Sequence, residues 1–584
     1  MTTTMLKLWC LLTPLERRRA LLLAILMFVV GIVEVTGLIS VIPLVAVLTS
    51  SADPCARLGA AAGAACGRML PTRDPYVLTG LAFTLIAMSN LLAFTVTWLS
   101  ARLNWAVWRR LSARVFGTYL AKPYEYFFDV HSSVVVKNVV FETERFAMLL
   151  FMPMLVLVSR IIVTIVVIAL VVAVDPSVSL GIIASLALLY FAVYSRLQGR
   201  SRTSGDVAFS ARERITSITT ETVAGVREVR MLGCEEHFAA RFRRAAHTLA
   251  RQYVYGVVVS VMPRYVIETA AFALMIGLAV YLSQKLGGWQ TAAPLLAFYV
   301  FAAYRLLPQF QQIYIHAMQV QQNARIVDVL AELMPFAAEQ ARASGGHASV
   351  QRPEPPIVLD RVTYCYPGTD QAVLDEANME IPAHSTVGLV GATGAGKSTI
   401  IDLIAGLLPP RQGSVTLNGK RLDARLAAEW RTRIGYVPQV PFLLNDTVRR
   451  NIAFGLPDEE ISQQEVERAA RLANIHDFIA SLPEGYATPT GERGVRLSGG
   501  QRQRLVIARA LYRDPEVLIF DEATSALDQE TEQAVMEAIR TLSHKKTLLI
   551  ISHRPATLQG CDLVYEVLDG KVALRQSADR RSSA

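Results

Sequence analysis

The sequence predicts two fold classes in one chain: an all-α membrane domain of six helices, then a cytosolic α/β domain of the P-loop ATPase type. Two observations predict this division. Long apolar runs fill residues 20–330, whereas residues 350–584 have the mixed composition of a soluble domain. In the second part, a glycine-rich phosphate-binding loop follows an apolar strand pattern. The expected boundaries are 1–335 for the membrane domain, 336–356 for a linker and 357–584 for the ATPase domain.

Composition supports a membrane protein and argues against a nucleic-acid partner. Of the 584 residues, 52% are hydrophobic and 18% are charged, which is little charge for a soluble protein. The net charge is +9, and the basic residues cluster beside apolar runs at Glu16–Arg19, Trp108–Arg114 and Arg196–Arg202. Basic segments next to membrane spans are explained by cytoplasmic orientation and by contact with anionic lipids. Membrane lipid is therefore an expected partner, and nucleic acid is not.

Six apolar runs have the length that a bilayer requires, about 20 residues each. They cover residues 20–48, 76–100, 147–174, 177–195, 256–283 and 291–314. The first run has no cleavage site after a short core, so we expect an anchor and not a removed signal peptide. The segments 101–146 and 196–255 are long and basic, which predicts helical extensions in the cytosol. Both termini and the ATPase domain are then cytosolic.

Two of the six cysteines, Cys55 and Cys66, lie in the loop between the first two apolar runs. This loop is expected to face outward, where disulfides form. We predict a disulfide between them, with two free thiols as the alternative. The other four cysteines are expected to be cytosolic and reduced.

The segment GATGAGKS, Gly391–Ser398, fits the phosphate-binding pattern G-x-x-x-x-G-K-S. Its glycines let backbone N–H groups wrap a phosphate, and the following helix adds its dipole. Lys397 is expected to reach the β- and γ-phosphates of ATP, and the Ser398 hydroxyl to bind Mg²⁺. The predicted nucleotide-binding residues of this loop are Gly391, Thr393, Gly394, Ala395, Gly396, Lys397, Ser398 and Thr399.

The segment EVLIFDEATSALD places two carboxylates at the end of a buried strand. Asp521 suits the Mg²⁺ shell, and Glu522 is placed to orient or deprotonate the attacking water. Two acids after a strand also occur as a helix N-cap, but the phosphate-binding loop earlier in the chain favours the catalytic interpretation. ATP and Mg²⁺ are therefore the expected cofactors.

Between these motifs lies LSGGQ, a second loop with phosphate-binding geometry, whose residues Ser498, Gly499, Gly500 and Gln501 open a helix. The chain resembles the ATP-binding-cassette (ABC) family, of which LSGGQ is the signature. In that family, the signature of one subunit closes over the ATP held by the other. The resemblance therefore implies a dimer with composite ATP sites.

The resemblance extends to further motifs. Tyr366 in VTYCYPG matches the aromatic residue that stacks on adenine, and Tyr364 is a rival for this role. Gln439 matches the Q-loop glutamine, a Mg²⁺ and water sensor. Asp528 in SALD matches the D-loop, and His553 in IISHR matches the switch histidine at the γ-phosphate. The implied catalytic residues are thus Glu522, His553 and Gln439, and the implied metal ligands are Ser398, Gln439 and Asp521.

The order of six spans and then a cassette is similar to the half-size type I exporters. TGERG, Thr490–Gly494, matches the segment that exporters place against the helices that couple the two domains. Degenerate cassettes often lack the glutamate found here as Glu522. A homodimer with two competent sites is therefore implied.

Five ionisable residues lie in or near the spans: Glu34, Arg160, Arg264, Glu268 and Arg305. Such residues are unfavourable in lipid and usually mark a pathway or a partner. Arg264 and Glu268 are four residues apart, so they could simply pair on one helix face, and Arg305 could extend its charge to the membrane surface. Three arginines against two glutamates nevertheless favour an anionic cargo such as a diphosphate.

The membrane half resembles PglK-type flippases of lipid-linked oligosaccharides in MPRYVIET, YRLLPQFQQI and GIVEVTGLISVIPLVAVL. This implies ATP-driven flipping or export of a lipid-linked, phosphate-bearing glycan across the bacterial cytoplasmic membrane. One departure is Ser89–Asn90, where that subfamily often has an arginine. The alternative is an exporter of a peptide, lipid or drug-like substrate. Soluble cassette ATPases are excluded by the six spans.

Overall fold

The computed structural model describes residues 2–48, 75–174, 176–285, 289–333, 354–523, 545–552 and 560–575, with positions 533, 537 and 558. The chain divides into two compact units. The first contains Met1–Lys122 and Val130–Gly345, and the second contains Pro123–Asp129 and Gly346–Ala584. The division after Gly345 lies inside the predicted linker. The segment Pro123–Asp129, by contrast, was expected in the membrane domain and groups with the second unit.

The first unit is all helical, as predicted, and contains both very long and very short helices. Two π-helical segments, Lys137–Glu142 and Ala147–Phe151, separate α5, α6 and α7. The helices are α1 Thr2–Leu11, α2 Pro14–Leu48, α3 Pro75–Leu120, α5 Ser132–Val136, α6 Thr143–Phe146, α7 Met152–Val174, α8 Pro176–Ala224, α9 Val226–Met231, α10 Glu235–Lys285 and α11 Trp289–Gln322. Residues 325–333 form a further helical segment of about two and a half turns.

Four helical stretches among the described residues are long and apolar enough to cross a membrane. They are Ile86–Leu120, Ser132–Ala169, Ser179–Leu197 and Glu235–Lys285, and they contain or overlap the second to fifth predicted spans. The first and sixth predicted spans lie on α2 and α11. The predicted cytosolic extensions are the continuations of α3, α8 and α10 beyond their apolar parts. The loop with Cys55 and Cys66 lies outside the described residues, so the disulfide stays a prediction.

Two helices of the first unit approach each other closely at a glycine. The α8 helix packs on α10 and on α11, and α7 packs on α11. At Gly205 in α8, an added Cβ would lie 2.0 Å from the Gln322 carbonyl oxygen of α11. Only glycine allows this approach. Within α10, Pro263 removes one backbone donor in the middle of a 51-residue helix.

The π-helical segment Lys137–Glu142 buries three polar side chains: Lys137, Asn138 and Glu142. Each has a side-chain partner. Lys137 Nζ lies 3.0 Å from Glu213 Oε1, Asn138 Nδ2 donates to the Tyr119 hydroxyl at 2.7 Å, and Glu142 accepts from Arg145 Nη1 at 2.9 Å. Buried charges are tolerated when they are paired in this way. This segment therefore contributes a polar interior to the end of the bundle.

The second unit combines α4, Tyr126–Asp129, with two sheets. The four-stranded sheet is antiparallel in the order β2-β1-β4-β5. The six-stranded sheet has the order β10-β9-β3-β8-β7-β6 and is parallel except for β10. The strands are β1 Ile357–Tyr364, β2 Leu374–Ile381, β3 Thr386–Gly391, β4 Gln412–Leu417, β5 Lys420–Arg421, β6 Ile434–Val437, β7 Val517–Asp521, β8 Thr547–Ile551, β9 Leu563–Leu568 and β10 Lys571–Arg575.

The remaining helices of this unit cover the parallel sheet. They are α12 Lys397–Ile404, α13 Ala424–Arg431, α14 Val448–Ile452, α15 Gln463–Leu472, α16 His476–Ser481 and α17 Gly499–Tyr512. One apolar core joins β1, β2, β3 and α12 around the fully buried Trp430, and a second core packs α14, α15 and α17 on β6, β7 and β8. Functional residues collect at the carboxyl ends of β3 and β7, where parallel sheets bind ligands.

Candidate ATP site and intramembrane charges

The phosphate-binding loop connects β3 to α12, as the sequence predicts. Gly396 caps α12 with φ +104°, a left-handed conformation that favours glycine. The Lys397 side chain is 7% exposed, and its Nζ donates to the carbonyl oxygens of Gly391 and Ala392 at 2.7 and 2.9 Å. The ammonium group thus lies over the loop, at the end of α12 where the helix dipole favours an anion. Ser398 and Thr399 open the first turn of α12.

The two predicted carboxylates end β7. Asp521 is 8% exposed, and its Oδ2 accepts from the Tyr436 hydroxyl at 3.3 Å. Burial raises the pKa of Asp521. Burial, followed by the charge of Asp521, also raises the pKa of Asp402 to about 6, so α12 carries a second acid near the first. The sequence had not singled out Asp402 or Tyr436.

The donor set fits Mg²⁺. Among the described residues, no group of three or more His, Cys, Asp or Glu could hold a metal by itself. Mg²⁺ at nucleotide sites is bound through one or two carboxylates, a hydroxyl and the phosphates of the substrate. Asp521 at the end of β7 and Ser398 at the start of α12 are oxygen donors of this kind, so they would hold Mg²⁺.

Glu522 adopts φ +47°, which is unusual for a residue with a side chain. Its backbone N–H donates to the Ile551 carbonyl at 3.1 Å, and its Oε2 accepts from Gln439 Nε2 at 2.7 Å. Strained non-glycine residues are concentrated at functional sites. The structure therefore brings together two of the three predicted catalytic residues. His553 and Asp528 lie outside the described residues, so their roles stay predictions.

Tyr364 and Tyr366, the two candidates for stacking on adenine, differ in burial. Tyr364 is 2% exposed and belongs to the core of the unit. Tyr366 is half-buried, and its hydroxyl lies 3.0 Å from Thr399 Oγ1, directly after Ser398. A base can stack only on an accessible ring. The geometry favours Tyr366, as the motif match implies.

The signature residues begin α17 with a capping box. Ser498 Oγ accepts from the Gln501 backbone N–H at 3.2 Å, and Gln501 Oε1 accepts from the Ser498 N–H at 2.8 Å. This reciprocal pair satisfies two donors at the helix end. The Gly499 Cβ position has no neighbour within 4 Å. The loop is therefore a rigid, open helix terminus, which suits approach by a phosphate.

A buried polar network that the sequence reasoning missed supports the segment after Gln439. Asn451 is fully buried, and its Nδ2 donates to the Leu444 and Thr447 carbonyls at 3.1 Å each. From α17, Arg509 donates to the Asn451 carbonyl at 2.9 Å and to the Phe442 carbonyl at 2.7 Å. Burial lowers the pKa of Arg509 to about 10. The network ties the signature helix to the Gln439 segment.

Arg264 and Glu268 form the i,i+4 ion pair that their spacing allows. Arg264 Nε lies 2.7 Å from Glu268 Oε1, and the two side chains are 48% and 37% exposed. The pairing alternative from the sequence is therefore realised in α10. A substrate role for either residue stays a prediction. Glu34 lies in α2, but its side chain is outside the described part of the chain.

Arg160 of α7 points to α11. Its Nη1 donates to Gln309 Oε1 at 3.3 Å, and Gln309 is 5% exposed. The Nε of Arg160 is buried and has no hydrogen-bond partner among the described residues. The half-buried Arg305 lies one helical turn before Gln309 on α11. Two of the three predicted arginines are thus brought to neighbouring helices in the first unit.

Comparison with known families matches both halves of the chain. The ABC transporter transmembrane region matches residues 21–308, and the ABC transporter family model matches residues 374–525. The first range begins in the first predicted span and ends within the sixth, and the second contains the motifs from Gly391 to Ser525. The predicted combination of a membrane domain and a cassette in one chain is therefore confirmed.

Relatives and a solved structure agree with this assignment. The chain is 32% identical to an ATP-dependent lipid A-core flippase of Albidiferax ferrireducens over 82% of this chain and 81% of the relative. It is 33% identical to a protein of the same name in Saccharophagus degradans, over 62% of this chain and 60% of that relative's length. A bacterial Atm1-family ABC exporter solved with ATP bound has a TM-score of 0.73 at 26% identity, covering 96% of this chain and 95% of that chain.

Proposed function

Because the chain belongs to the ABC transporters, with a transmembrane region and an ATPase domain fused as in type I exporters, we propose that it flips a lipid-linked, phosphate-bearing glycan across the bacterial cytoplasmic membrane. ATP hydrolysis is coupled to this transport.

The observation that supports an anionic cargo is the position of Arg160. A guanidinium inside an apolar helix bundle is unfavourable unless it has a partner, and among the described residues Arg160 makes one hydrogen bond, to Gln309. Its planar fork matches phosphate oxygens. Arg305, one turn from Gln309, adds a second positive charge on α11. Relatives named ATP-dependent lipid A-core flippases also support a lipid-type cargo. The narrower PglK-type assignment stays a prediction.

The proposed ATP chemistry uses the residues at the ends of β3 and β7. Lys397 would contact the β- and γ-phosphates, and Ser398, Asp521 and Gln439 would hold Mg²⁺, which neutralises charge on the phosphates when bound. Glu522 would accept the proton of the attacking water, and the 2.7 Å bond from Gln439 fixes the orientation of its carboxylate. His553 and Asp528 would complete the site from segments outside the described residues.

We further propose that two copies form the working unit, with both termini and the ATPase domains in the cytosol. Ser498 to Gln501 form an open, capped helix terminus, and in one chain this terminus and the Gly391–Ser398 loop are separate phosphate-binding elements. A second copy would bring the terminus of one chain to the loop of the other. The proposed partners are therefore a second copy, the glycolipid and membrane lipid.

A second candidate cargo is a peptide or drug-like molecule. The observation that favours it is an aromatic group in the first unit: Tyr190 stacks on Phe310 with centroids 5.6 Å apart, and Tyr314 lies near Tyr190 and Tyr194. Aromatic walls bind apolar ligands without using charge. The two cargoes differ in whether arginine is needed.

The test is ATPase activity of the full chain in nanodiscs, with polyprenyl-diphosphate glycans or hydrophobic peptides added. We expect stimulation by the glycolipid and loss of that stimulation in Arg160→Ala and in Arg305→Ala. Ser159→Ala, the neighbouring substitution on α7, is the matched control. Stimulation by peptides alone, or glycolipid stimulation that survives both arginine substitutions, would reject the anionic cargo.

A further inference from the structure

The segment Pro123–Asp129 connects α3 to α5, two helices of the membrane unit, yet it groups with the ATPase unit. Its short helix α4 begins at Tyr126. The segment is therefore covalently continuous with the first unit while its contacts belong to the second. What it contacts there is the neighbourhood of Tyr366.

The first contact is a hydrogen bond to a core tyrosine. The Tyr364 hydroxyl donates to Glu125 Oε1 at 3.0 Å. Tyr364 is 2% exposed, and leaving a buried hydroxyl without its hydrogen-bond partner lowers the stability of the folded protein. Glu125 thus anchors the segment to the last residue of β1.

The second contact is made by rings. Phe128 meets Tyr366 edge to face, with centroids 5.3 Å apart and planes at 71°. Tyr364 meets the same ring at 5.3 Å and 86°, and Tyr124 meets Phe128 at 5.1 Å and 75°. Edge-to-face pairs at these distances are attractive. The Tyr366 ring is therefore held between one ring of its own strand region and one ring of the connecting segment.

The far end of Tyr366 is held by the phosphate-binding helix, because its hydroxyl lies 3.0 Å from Thr399 Oγ1. Its ring plane and its distance from Lys397 are consequently set by three neighbours: Phe128, Tyr364 and Thr399. Two of them belong to the nucleotide domain in sequence. The third, Phe128, lies in the segment Pro123–Asp129, which belongs to the second unit but precedes the rest of it by more than 200 residues in sequence.

We propose that Phe128 and Glu125 are positioning residues for the base-stacking ring of Tyr366. The inference rests on the proposed stacking of adenine on Tyr366. Phe128 orients that ring. Glu125, three residues earlier in the segment, holds Phe128 in position because it accepts the hydrogen bond from Tyr364. The affinity for the base thus depends on the placement of a segment that continues into α3 and α5.

The proposed contact concerns the base and not the phosphates of ATP. The triphosphate interacts with Gly391–Ser398 and does not need Phe128. Base recognition and phosphate recognition should therefore separate in a Phe128 variant.

The experiment compares Phe128→Ala with Phe127→Ala in the full chain. Phe127 lies in the same segment and has the same exposed fraction, 40%, but its ring contact is with Tyr126. We measure KM and kcat for ATP, and the inhibition constant of tripolyphosphate, which has no base. For Phe128→Ala we expect KM to rise about three- to tenfold, as for the loss of one aromatic pair, with kcat and the tripolyphosphate constant within twofold of the parent.

Glu125 is tested by rescue. Glu125→Ala should raise KM in the same way, whereas Glu125→Gln keeps an acceptor for the Tyr364 hydroxyl and should behave like the parent. Equal effects of Phe127→Ala and Phe128→Ala, or a tripolyphosphate constant that rises with KM, would overturn the proposal. Tyr366→Ala tests the premise separately: an unchanged KM there would refute stacking on Tyr366, and absence of ATPase activity in the parent would refute the proposed function itself.

Discussion

Gln439 Nε2 donates a 2.7 Å hydrogen bond to Glu522 Oε2 and so joins the segments that follow β6 and β7. The Gln439 amide therefore fixes the orientation of the Glu522 carboxylate, the proposed general base, without the attacking water. We expect Glu522→Gln to lower kcat by about 10²–10⁴, the range for loss of a general base, while ATP binding persists. Steady-state hydrolysis and nucleotide binding, measured on the same preparation, check this. Hydrolysis within tenfold of the parent would exclude Glu522 as the base.

The backbone at Glu522 allows a prediction about stability that is independent of catalysis. Its φ of +47° is unfavourable for any residue with a Cβ. Glu522→Gly should therefore unfold at a higher temperature than Glu522→Ala, by an amount that corresponds to about 1 kcal/mol. Both variants lack the carboxylate, so each controls for its loss. Equal unfolding temperatures would show that the strain is relieved in another way.

Close packing of α8 on α11 predicts opposite outcomes for two glycines in one helix. Gly205→Ala places a Cβ 2.0 Å from the Gln322 carbonyl oxygen, whereas an added Cβ at Gly199 meets nothing within 4 Å. We expect Gly205→Ala to lower the apparent Tm. Gly199→Ala should leave it unchanged or raise it, because alanine favours a helix by about 1 kcal/mol over glycine. Tryptophan fluorescence during heating in nanodiscs measures both, and a similar response of the two variants would contradict the predicted contact.

The ion pair in α10 predicts non-additive substitutions. Glu268→Ala leaves Arg264 without its 2.7 Å partner, and an unpaired arginine in a span costs about 2.5–3.5 kcal/mol on insertion scales. We expect a lower yield of inserted protein for Glu268→Ala. The double variant Arg264→Ala/Glu268→Ala should recover much of that yield. A double variant as poor as the single one would mean that Glu268 has another partner.

Arg509 links the signature helix to the Gln439 segment through the Asn451 and Phe442 carbonyls. Lysine cannot reproduce this fork, and hydrogen bonds of charged groups contribute about 1.5–3 kcal/mol each. Arg509→Lys should therefore lower the apparent Tm, whereas Arg513→Lys, at an exposed position of the same region, should not. Identical unfolding curves for the two variants would remove Arg509 from the supporting network.

The parts of this molecule that the sequence predicted are those whose determinants lie close together in the chain. The glycines around Lys397, the capping pair of Ser498 and Gln501, and the four-residue spacing of Arg264 and Glu268 each encode their own geometry. The contacts that escaped prediction join distant segments: Glu125 meets Tyr364 at a separation of 239 residues, and Asn451 meets Arg509 at 58. Neither contact has a local sequence pattern. A polar side chain needs such a partner only because folding buries it, and the partner comes from a distant part of the chain.

The two π-helical segments near the start of the third predicted span change how that span must be interpreted. Each π turn accommodates one residue more than an α turn, which rotates everything beyond it by about 100° around the helix axis. After Lys137–Glu142 and Ala147–Phe151, the angular phase of the helix has shifted twice. A helical wheel drawn from Ser132 through Val174 with a single period would therefore assign Arg160 to the wrong side. These wide turns allow one continuous helix to bury Glu142 near its start and to direct Arg160 toward Gln309 farther along.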